Sequence, residues 1–160
     1  MKKVLFSLLT LIAMVAMTAC GSNDTEKKLN GKWQTTLTES GQQLTMTWDL
    51  NADTHKALLS INVGMEGTDM MTMDFKGSWK ASAEKITFSI DDNECSVTFA
   101  DSFKQLADAS GIDLKEIEEQ TLAEFKKELA GMAEEEIVEI TDDTLTVKED
   151  HSNITFNRVK

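Results

Sequence analysis

Four methionines that lie close together in the sequence are the side chains best suited to bind a metal. Met65, Met70, Met71 and Met73 present thioether sulfurs, the soft ligands that copper(I) selects. Met71 and Met73 also fit an alternation of apolar and polar residues that is typical of a half-buried strand. Because methionine commonly fills gaps in apolar cores, we interpret these residues as core and predict no metal site.

A short acidic segment matches part of a calcium-binding loop. Asp49, Asn51 and Asp53 occupy the first three ligand positions of such a loop. Thr54, however, stands where the loop requires glycine, and Ser60 stands where it requires a bidentate glutamate. We therefore interpret the segment as a polar turn between two strands.

The cysteine and histidine residues do not form a recognisable catalytic group. Cys95 falls on the apolar face of a predicted strand, where cysteine usually behaves as a small hydrophobic residue. His55 and His151 fall in predicted turns or at the starts of strands. Since no nucleophile, base and oxyanion site are predicted to meet, we expect neither enzymatic activity nor a cofactor.

The amino-terminal residues have the pattern of an export signal. Lys2 and Lys3 precede an apolar run, residues 4–17, that is shorter than the roughly 20 residues a helix needs to cross a bilayer. The segment that follows, Met17-Thr18-Ala19-Cys20, resembles the lipobox of bacterial lipoproteins, with methionine where leucine is commonest. An ordinary secretory signal with a coincidental cysteine is the alternative.

The lipoprotein resemblance implies a lipid anchor in the cell envelope. Residues 1–19 would be removed as a signal peptide, and Cys20 would carry diacylglycerol on its sulfur and an acyl chain such as palmitate on its amine. Several acyl chains hold a protein stably on a membrane without spanning it. Gly21 is not the aspartate associated with retention in the inner membrane, so the resemblance favours the outer membrane.

The rest of the chain is predicted to be a tether and one domain. Residues 20–28 contain nothing apolar after the cysteine and are predicted to be flexible. Residues 29–160 show no second shift in composition and fit a single domain.

The charge balance and the cysteine content narrow the class of this domain. Without Lys2 and Lys3, the 16 basic residues fall to 14 against 28 acidic ones, which gives a net charge of −14. Such a charge argues against nucleic acid as a partner and against adsorption of the domain itself on anionic lipid. With Cys20 lipidated, Cys95 is the only remaining thiol, so no internal disulfide can form.

Most of the domain alternates between apolar and polar residues, as half-buried strands do. The apolar faces of the predicted strands are Leu29 to Leu37, Leu44 to Leu50, Ala57 to Met65, Met71 to Trp79, Ile86 to Ile90, Cys95 to Phe99, Val138 and Ile140, Leu145 and Val147, and Ile154 to Arg158. Short polar links, such as Asp91 to Asn93, separate most of these strands. Such links favour antiparallel neighbours in sequence order.

Between residues 101 and 136 the apolar residues follow the period of a helix instead. Phe103 and Leu106 belong to a short first helix that Gly111 is placed to end. Asp113 is placed to cap a second helix, with Glu116 reaching back. The apolar stripe of the second helix comprises Leu114, Ile117, Thr121, Phe125, Leu129 and Met132.

These patterns predict a mainly β domain built as an antiparallel up-and-down barrel of about eight to nine strands, with a helical insertion before the last three strands. Closure removes the exposed edges of so many strands. Gly31-Lys32-Trp33 on the first strand resembles the Gly-x-Trp signature of lipocalins, and Arg158 ends the last strand where that family places an arginine over the tryptophan. The resemblance is to the lipocalin-like (calycin-type) domains of bacterial lipoproteins and covers most of residues 29–160. It implies that Gly31, Trp33 and Arg158 meet at one end of the barrel.

The lipocalin resemblance implies that the interior binds a small apolar ligand. The candidate lining residues are Met46, Trp48, Met71, Met73, Phe75, Trp79 and Phe88. A barrel of this size holds one small ligand or is filled by its own side chains, and both interiors have the same composition. Two functions therefore stay open: binding of a small apolar ligand, and interaction with an envelope protein through the acidic helical insertion of a packed barrel.

Overall fold

The structure, a computed structural model, describes residues 21–65, 67–129, 134–149 and 152–160. The predicted signal peptide, the lipidation residue Cys20, Met132 of the predicted helical stripe and His151 lie outside the described residues.

Within these residues, eight antiparallel strands form a closed barrel in sequence order. The strands are β1 (Gly31–Glu39), β2 (Gln42–Asn51), β3 (Lys56–Met65), β4 (Thr68–Ala81), β5 (Lys85–Phe99), β6 (Glu134–Ile140), β7 (Thr144–Glu149) and β8 (Ser152–Arg158). The helices are α1 (Gly21–Leu29) before the barrel and α2 (Asp101–Ser110) and α3 (Leu114–Leu129) between β5 and β6. The predicted fold class, its strand order and the position of the helical insertion are confirmed.

The fifth and sixth predicted strands form one strand, β5, so the predicted link at Asp91 to Asn93 is not a chain reversal. Phe75 of β4 pairs with Cys95, whereas Gly77 pairs with Ile90, so residues 91–94 bulge out opposite a single residue of β4. A Cβ atom on Gly77 would lie 2.1 Å from the carbonyl oxygen of Ser89, so only glycine allows this close approach. The polar residues at 91–93 thus indicated an irregularity, but the sequence pattern did not distinguish a bulge within one strand from a turn between two strands.

Cross-strand pairing arranges the inner face of β1 to β5 in four rows. The first row is Gly31, Leu50, Ala57, Gly77 and Ile90, and the second is Trp33, Trp48, Leu59, Phe75 and Cys95. The third row is Thr35, Met46, Ile61, Met73 and Val97, and the fourth is Leu37, Leu44, Val63, Met71 and Phe99. We call the end nearest the first row the Arg158 end and the end nearest the fourth row the helix end, since β5 continues there into α2.

The strands of the barrel differ in length. The strands β2 to β5 have 10 to 15 residues, whereas β6 to β8 have 6 or 7. β5 pairs with β6 only from Lys85 to Thr87, where Lys85 donates a hydrogen bond to the Glu134 carboxylate. This hydrogen bond and the negative charge of Glu134 raise the pKa of the Lys85 ammonium group. Beyond this short contact α3 packs against β5, so a helix covers the part of the wall that lacks a strand.

The predicted face of β6 is wrong at Val138 because the strand contains an irregularity, whereas Ile140 packs against the core as predicted. The register with β7 shifts between Ile137 and Glu139. As a result Ile137 is buried, while Val138, which was predicted to face inward, is 49% exposed. Glu135 pairs with Ile86 and is only 7% exposed. This burial is unexpected, because the run of three glutamates at residues 134–136 is typical of a solvent-exposed charged segment. A bulge of this kind reverses the faces of a strand, and the sequence carries no separate signal for it.

Two predictions about helices also need correction. The segment predicted to be a flexible tether is mostly helical, since α1 begins at Gly21 and ends at Leu29. Phe103 and Leu106 lie in α2 as predicted; Leu106 is 60% exposed, and the buried residue of this helix is Ala107. The predicted end of the insertion at residue 136 is wrong, since β6 begins at Glu134. The predicted junction between its two helices is confirmed: Gly111 closes α2 in the left-handed conformation, and the Asp113 carboxylate accepts a hydrogen bond from the backbone of Lys115 at the start of α3.

Candidate ligand-binding site

The Arg158 end of the barrel is closed by one arginine and one tryptophan. The Arg158 guanidinium lies 4.0 Å from the centroid of the buried Trp33 ring, as the family resemblance implied. Its three nitrogen groups donate hydrogen bonds to the backbone carbonyls of Asp142, Asn30 and Lys28 at 2.6, 2.7 and 2.5 Å. The guanidinium therefore joins the β6–β7 turn and the end of α1 to the last strand.

Gly31 leaves room for this guanidinium. Its φ of +120° is unfavourable for residues with a side chain, and a Cβ atom there would lie 2.9 Å from an Arg158 nitrogen. The Trp33 indole donates a hydrogen bond of 2.7 Å to the carbonyl of Leu29. Gly31, Trp33 and Arg158 thus meet as predicted, and each has a distinct part in closing this end.

α1 completes the closure through a carboxylate that the sequence prediction did not single out. Glu26 is buried, and its two oxygens lie 3.3 Å from the backbone nitrogen of Ala81 and from Nε2 of His55. Leu29, which ends α1, is fully buried in the core. Leu29 is the one apolar residue of α1, so an apolar pattern typical of a packed helix is absent from its sequence.

The seven candidate lining residues lie within or directly against the hydrophobic core. Six of them are buried, and Met71 packs against the core while remaining partly exposed. The Trp48 ring lies 4.3 Å from Phe156 and 5.1 Å from Phe88, measured between ring centroids. Trp79 lies nearer the Arg158 end, where its indole donates a hydrogen bond to the carbonyl of Asn51. Most of the candidate lining residues therefore form one apolar interior, and Trp79 lies at its closed Arg158 end.

Exposure in the fourth row rises from β5 towards β1. Phe99 on β5 is buried, Met71 and Val63 are half-buried, and Leu37 on β1 is 43% exposed. The helix end is therefore covered over β5 and uncovered over β1. The uncovered part is apolar, as the entrance to a site for an apolar ligand would be.

An opening between β1 and β8 lies beside the uncovered part of the helix end. The two strands pair only at Trp33 with Arg158 and Gln34 with Asn157. The backbone nitrogen of Val159 donates to the carbonyl of Lys32, so the backbone groups of even-numbered β1 residues face β8. Beyond Gln34 no further residue pairs join the two strands. A pocket of about 600 Å³ lies along this edge and extends to the Arg158 end; it is lined by Gln34, Thr35, Thr36, Thr155, Asn157, Arg158 and Val159.

The helix pair α2 and α3 covers the other side of the helix end with aromatic rings. Phe125 of α3 lies 6.2 Å from Phe75 and is nearly parallel to it, and Phe103 of α2 lies 5.5 Å from Phe99. Leu114, Ile117 and Leu122 of α3 also pack against the core. The predicted apolar stripe of the second helix therefore faces the barrel along its described part.

The residues considered for chemistry have structural contacts instead. Asp49 lies 3.7 Å from the Lys32 ammonium group, and Asn51 accepts hydrogen bonds from both the backbone and the side chain of Thr54. The Cys95 thiol lies 3.3 Å from the carbonyl oxygen of Asp91 within the β5 bulge. Across the described part of the chain, no three His, Cys, Asp or Glu side chains are grouped as metal ligands.

The fold and the Trp33–Arg158 contact define a class of structure, an eight-stranded antiparallel barrel that is consistent with a calycin-like barrel. Comparison with known proteins adds no family to this class, since no family model and no curated protein match the chain. In the described ranges, none of the helices is both long enough and apolar enough to cross a membrane.

Proposed function

We propose that this protein is a lipid-anchored lipoprotein of the cell envelope, more specifically of the outer membrane, whose barrel binds a small apolar ligand at the helix end. The observation that supports the binding site most directly is the asymmetry of the barrel. One end is closed by hydrogen bonds and a buried tryptophan, whereas the other is partly covered by two helices and leaves the β1 side of an apolar row uncovered. A ligand would enter over β1 and lie between the fourth row and α3.

The chemistry of the fourth row favours an apolar and conformationally varied ligand. Met71 in this row and Met46 and Met73 in the third row carry flexible, polarisable side chains that can repack around different shapes. The Phe125 ring of α3 is stacked on Phe75. A ligand that enters here would have to displace this ring or pack beside it. Binding would therefore shift α3 relative to β5, while the Arg158 end stays fixed.

An apolar fluorescent probe tests this site. Protein carrying Cys20→Ser, which lacks the proposed acyl chains, is titrated with N-phenyl-1-naphthylamine, and probe emission is followed. Leu44→Glu places a carboxylate in the fourth row and should weaken binding at least about tenfold, because an apolar ligand leaves that charge without a partner. Leu106→Glu places the same charge on the exposed face of α2 and is the matched control.

Equal probe affinities in the two variants would contradict a site at the fourth row. Circular dichroism of both variants checks that the barrel remains folded. The anchor is tested separately, by incorporation of a labelled fatty acid, so the two parts of the proposal can fail independently.

A second candidate function is supported by the outer surface of the helix pair. Leu106 is 60% exposed on α2 and Ile112 is 44% exposed in the loop that follows it. Glu116 and Glu119 lie exposed on the neighbouring helix. Exposed apolar residues next to charged ones suit an envelope protein partner. In this case Leu106→Glu would abolish partner binding and leave probe binding unchanged, so the same variant distinguishes the two functions.

A further inference from the structure

We propose that the opening between β1 and β8 holds the uncharged, hydroxyl-bearing head group of a single-chain lipid, and that the Thr35 hydroxyl is its hydrogen-bond partner. This inference rests on the proposed function and names its ligand class, which is that of the monoacylglycerols. The acyl chain would lie along the fourth row, and the head group would lie at the opening.

Thr35 is a polar residue in an otherwise apolar row. It belongs to the third row of the inner face, directly opposite Met46 and in line with Ile61 and Met73. It is only 8% exposed. A buried hydroxyl without a hydrogen-bond partner costs free energy, and valine would fill the same space without that cost. The hydroxyl is therefore unfavourable at this position unless it binds something.

Thr35 differs from the other buried polar residues in having no partner. In the described part of the chain, Glu26 and Glu135 are the other polar residues buried to this extent. Glu26 contacts His55 and the backbone of Ala81, and Glu135 has a partner as well. The Thr35 hydroxyl makes no hydrogen bond to any described residue. Its hydrogen-bonding capacity is thus available to a ligand.

The pocket along the β1–β8 edge makes this hydroxyl accessible. Among the described residues that are not exposed, every side-chain nitrogen or oxygen that is sealed from solvent has a hydrogen-bond partner. The unpartnered Thr35 hydroxyl must therefore border open space, and the pocket of about 600 Å³ is the space that Thr35 lines. Gln34 and Thr36 line the same pocket from the outer face of β1, so a ligand can reach Thr35 from outside the barrel.

The backbone at the opening offers further hydrogen bonds to a head group. The backbone groups of Thr36 on β1 and Thr155 on β8 face the opening, just beyond the pair of Gln34 with Asn157. Both threonines line the pocket. An unpaired strand edge presents amide donors and carbonyl acceptors, and a head group with more than one hydroxyl can bind both.

The charges around the pocket favour an uncharged head group. Among the described residues that line it, only Arg158 is charged, and its guanidinium already donates to three backbone carbonyls and lies over Trp33. A carboxylate or phosphate would therefore enter without a free cation, and an ammonium group would enter without a carboxylate. The net charge of −12 on the chain disfavours anions further.

The position of Thr35 relative to the fourth row suits a ligand with one polar end and one apolar chain. Leu37 of the fourth row lies two residues further along β1 than Thr35, which is roughly 7 Å at about 3.4 Å per residue. Leu37 is 43% exposed and pairs with Leu44, which pairs with Val63. A head group bound to Thr35 would place the first carbons of its chain beside Leu37 and direct the rest along this row.

Competition between two ligands that share an acyl chain tests the proposal. Protein carrying Cys20→Ser is loaded with N-phenyl-1-naphthylamine, and the probe is displaced with 1-decanoylglycerol or with decanoate at neutral pH. The test variant adds Thr35→Val, and Thr35→Ser restores the hydroxyl. The matched control adds Thr72→Val, which removes a hydroxyl from the outer face of β4, where Thr72 accepts a hydrogen bond from Asn62.

We expect the parent to bind 1-decanoylglycerol at least about tenfold more tightly than decanoate, because the carboxylate finds no free cation. Thr35→Val should weaken the binding of 1-decanoylglycerol about fivefold, a typical effect of one hydrogen bond between neutral groups, and should leave probe affinity unchanged. Thr35→Ser and Thr72→Val should bind 1-decanoylglycerol as the parent does. In the ligand-free protein, Thr35→Val should not lower the midpoint of urea unfolding, because the hydroxyl has no internal hydrogen bond to lose.

Equal binding of 1-decanoylglycerol by Thr35→Val and the parent, or an equal loss in Thr35→Ser, would overturn the role of the hydroxyl. Tighter binding of decanoate than of 1-decanoylglycerol would overturn the uncharged head group. In each of these cases the probe still binds in the parent, so the proposed function survives. A parent that does not bind the probe would refute the proposed function and this inference together.

Discussion

Replacement of Arg158 by methionine should strongly destabilise the barrel, because this side chain makes four contacts at once. It removes the cation from the Trp33 ring, 4.0 Å away, a contact worth about 1 kcal/mol. It also removes hydrogen bonds to the three carbonyls of Lys28, Asn30 and Asp142, which we take as about 1 kcal/mol each because water can reach this partly exposed site. The expected loss in the free energy of unfolding is about 4 kcal/mol.

Urea unfolding followed by tryptophan fluorescence measures this loss. With an m-value of about 1.5 kcal/mol/M, the midpoint should fall by roughly 2.5 M. Arg158→Lys keeps the charge near Trp33 but cannot bind three separated carbonyls, so it should recover only about half of the loss. Lys160→Met is the control, since this side chain is 83% exposed and makes one surface ion pair worth at most about 1 kcal/mol. If Arg158→Met falls within 1 kcal/mol of that control, the closure of this end does not depend on the guanidinium.

Three further predictions concern the helix pair, the anchor and the opening beside β1. Phe125→Ala should lower the free energy of unfolding by about 2 to 4 kcal/mol, as truncation of a packed aromatic ring does, whereas Leu106→Ala on the exposed face should change it by less than about 0.5 kcal/mol; similar losses would mean that α3 does not pack on the barrel in solution. Cys20→Ser should abolish the incorporation of a radioactive fatty acid, and unchanged labelling would refute the lipoprotein anchor. The backbone amide of Thr36 faces β8 beyond the last β1–β8 pair and should exchange with deuterium much faster than that of Thr35, which faces β2; equal protection by nuclear magnetic resonance would mean that the opening is closed in solution.

The fold could be predicted from the sequence because one simple period governs most of the chain. Alternation specified the inner faces of β1 to β4 and the order of the barrel. The helical period predicted over residues 101 to 136 located the insertion, although β6 already begins at Glu134. The Trp33–Arg158 contact could be predicted only through the family resemblance, since the two residues are 125 positions apart and no local pattern relates them.

The predictions failed where tertiary contacts override the local pattern. The shift at Ile137 exchanges the faces of β6, and a period-two pattern cannot reveal a single inserted residue. α1 was missed because Glu26 is held by hydrogen bonds to distant residues, His55 and the backbone of Ala81, rather than by apolar packing. In α2 the buried residue is Ala107, which the sequence prediction did not single out, whereas the larger Leu106 is exposed.

The candidate site was predicted in composition but not in shape. The lining residues could be named because they alternate along predicted strands, whereas the uncovered β1 side depends on where β8 separates from β1. That separation follows from only two residue pairs between these strands and has no sequence signal.

Native mass spectrometry of the Cys20→Ser protein, isolated from cells without detergent, tests the central claim most directly. A barrel that binds a small apolar ligand should carry an excess mass of drug-like size, one molecule per chain, which is released on denaturation and absent from the Leu44→Glu variant. A spectrum that shows only the mass of the chain would contradict ligand binding and favour a packed barrel that acts through the exposed face of its helix pair.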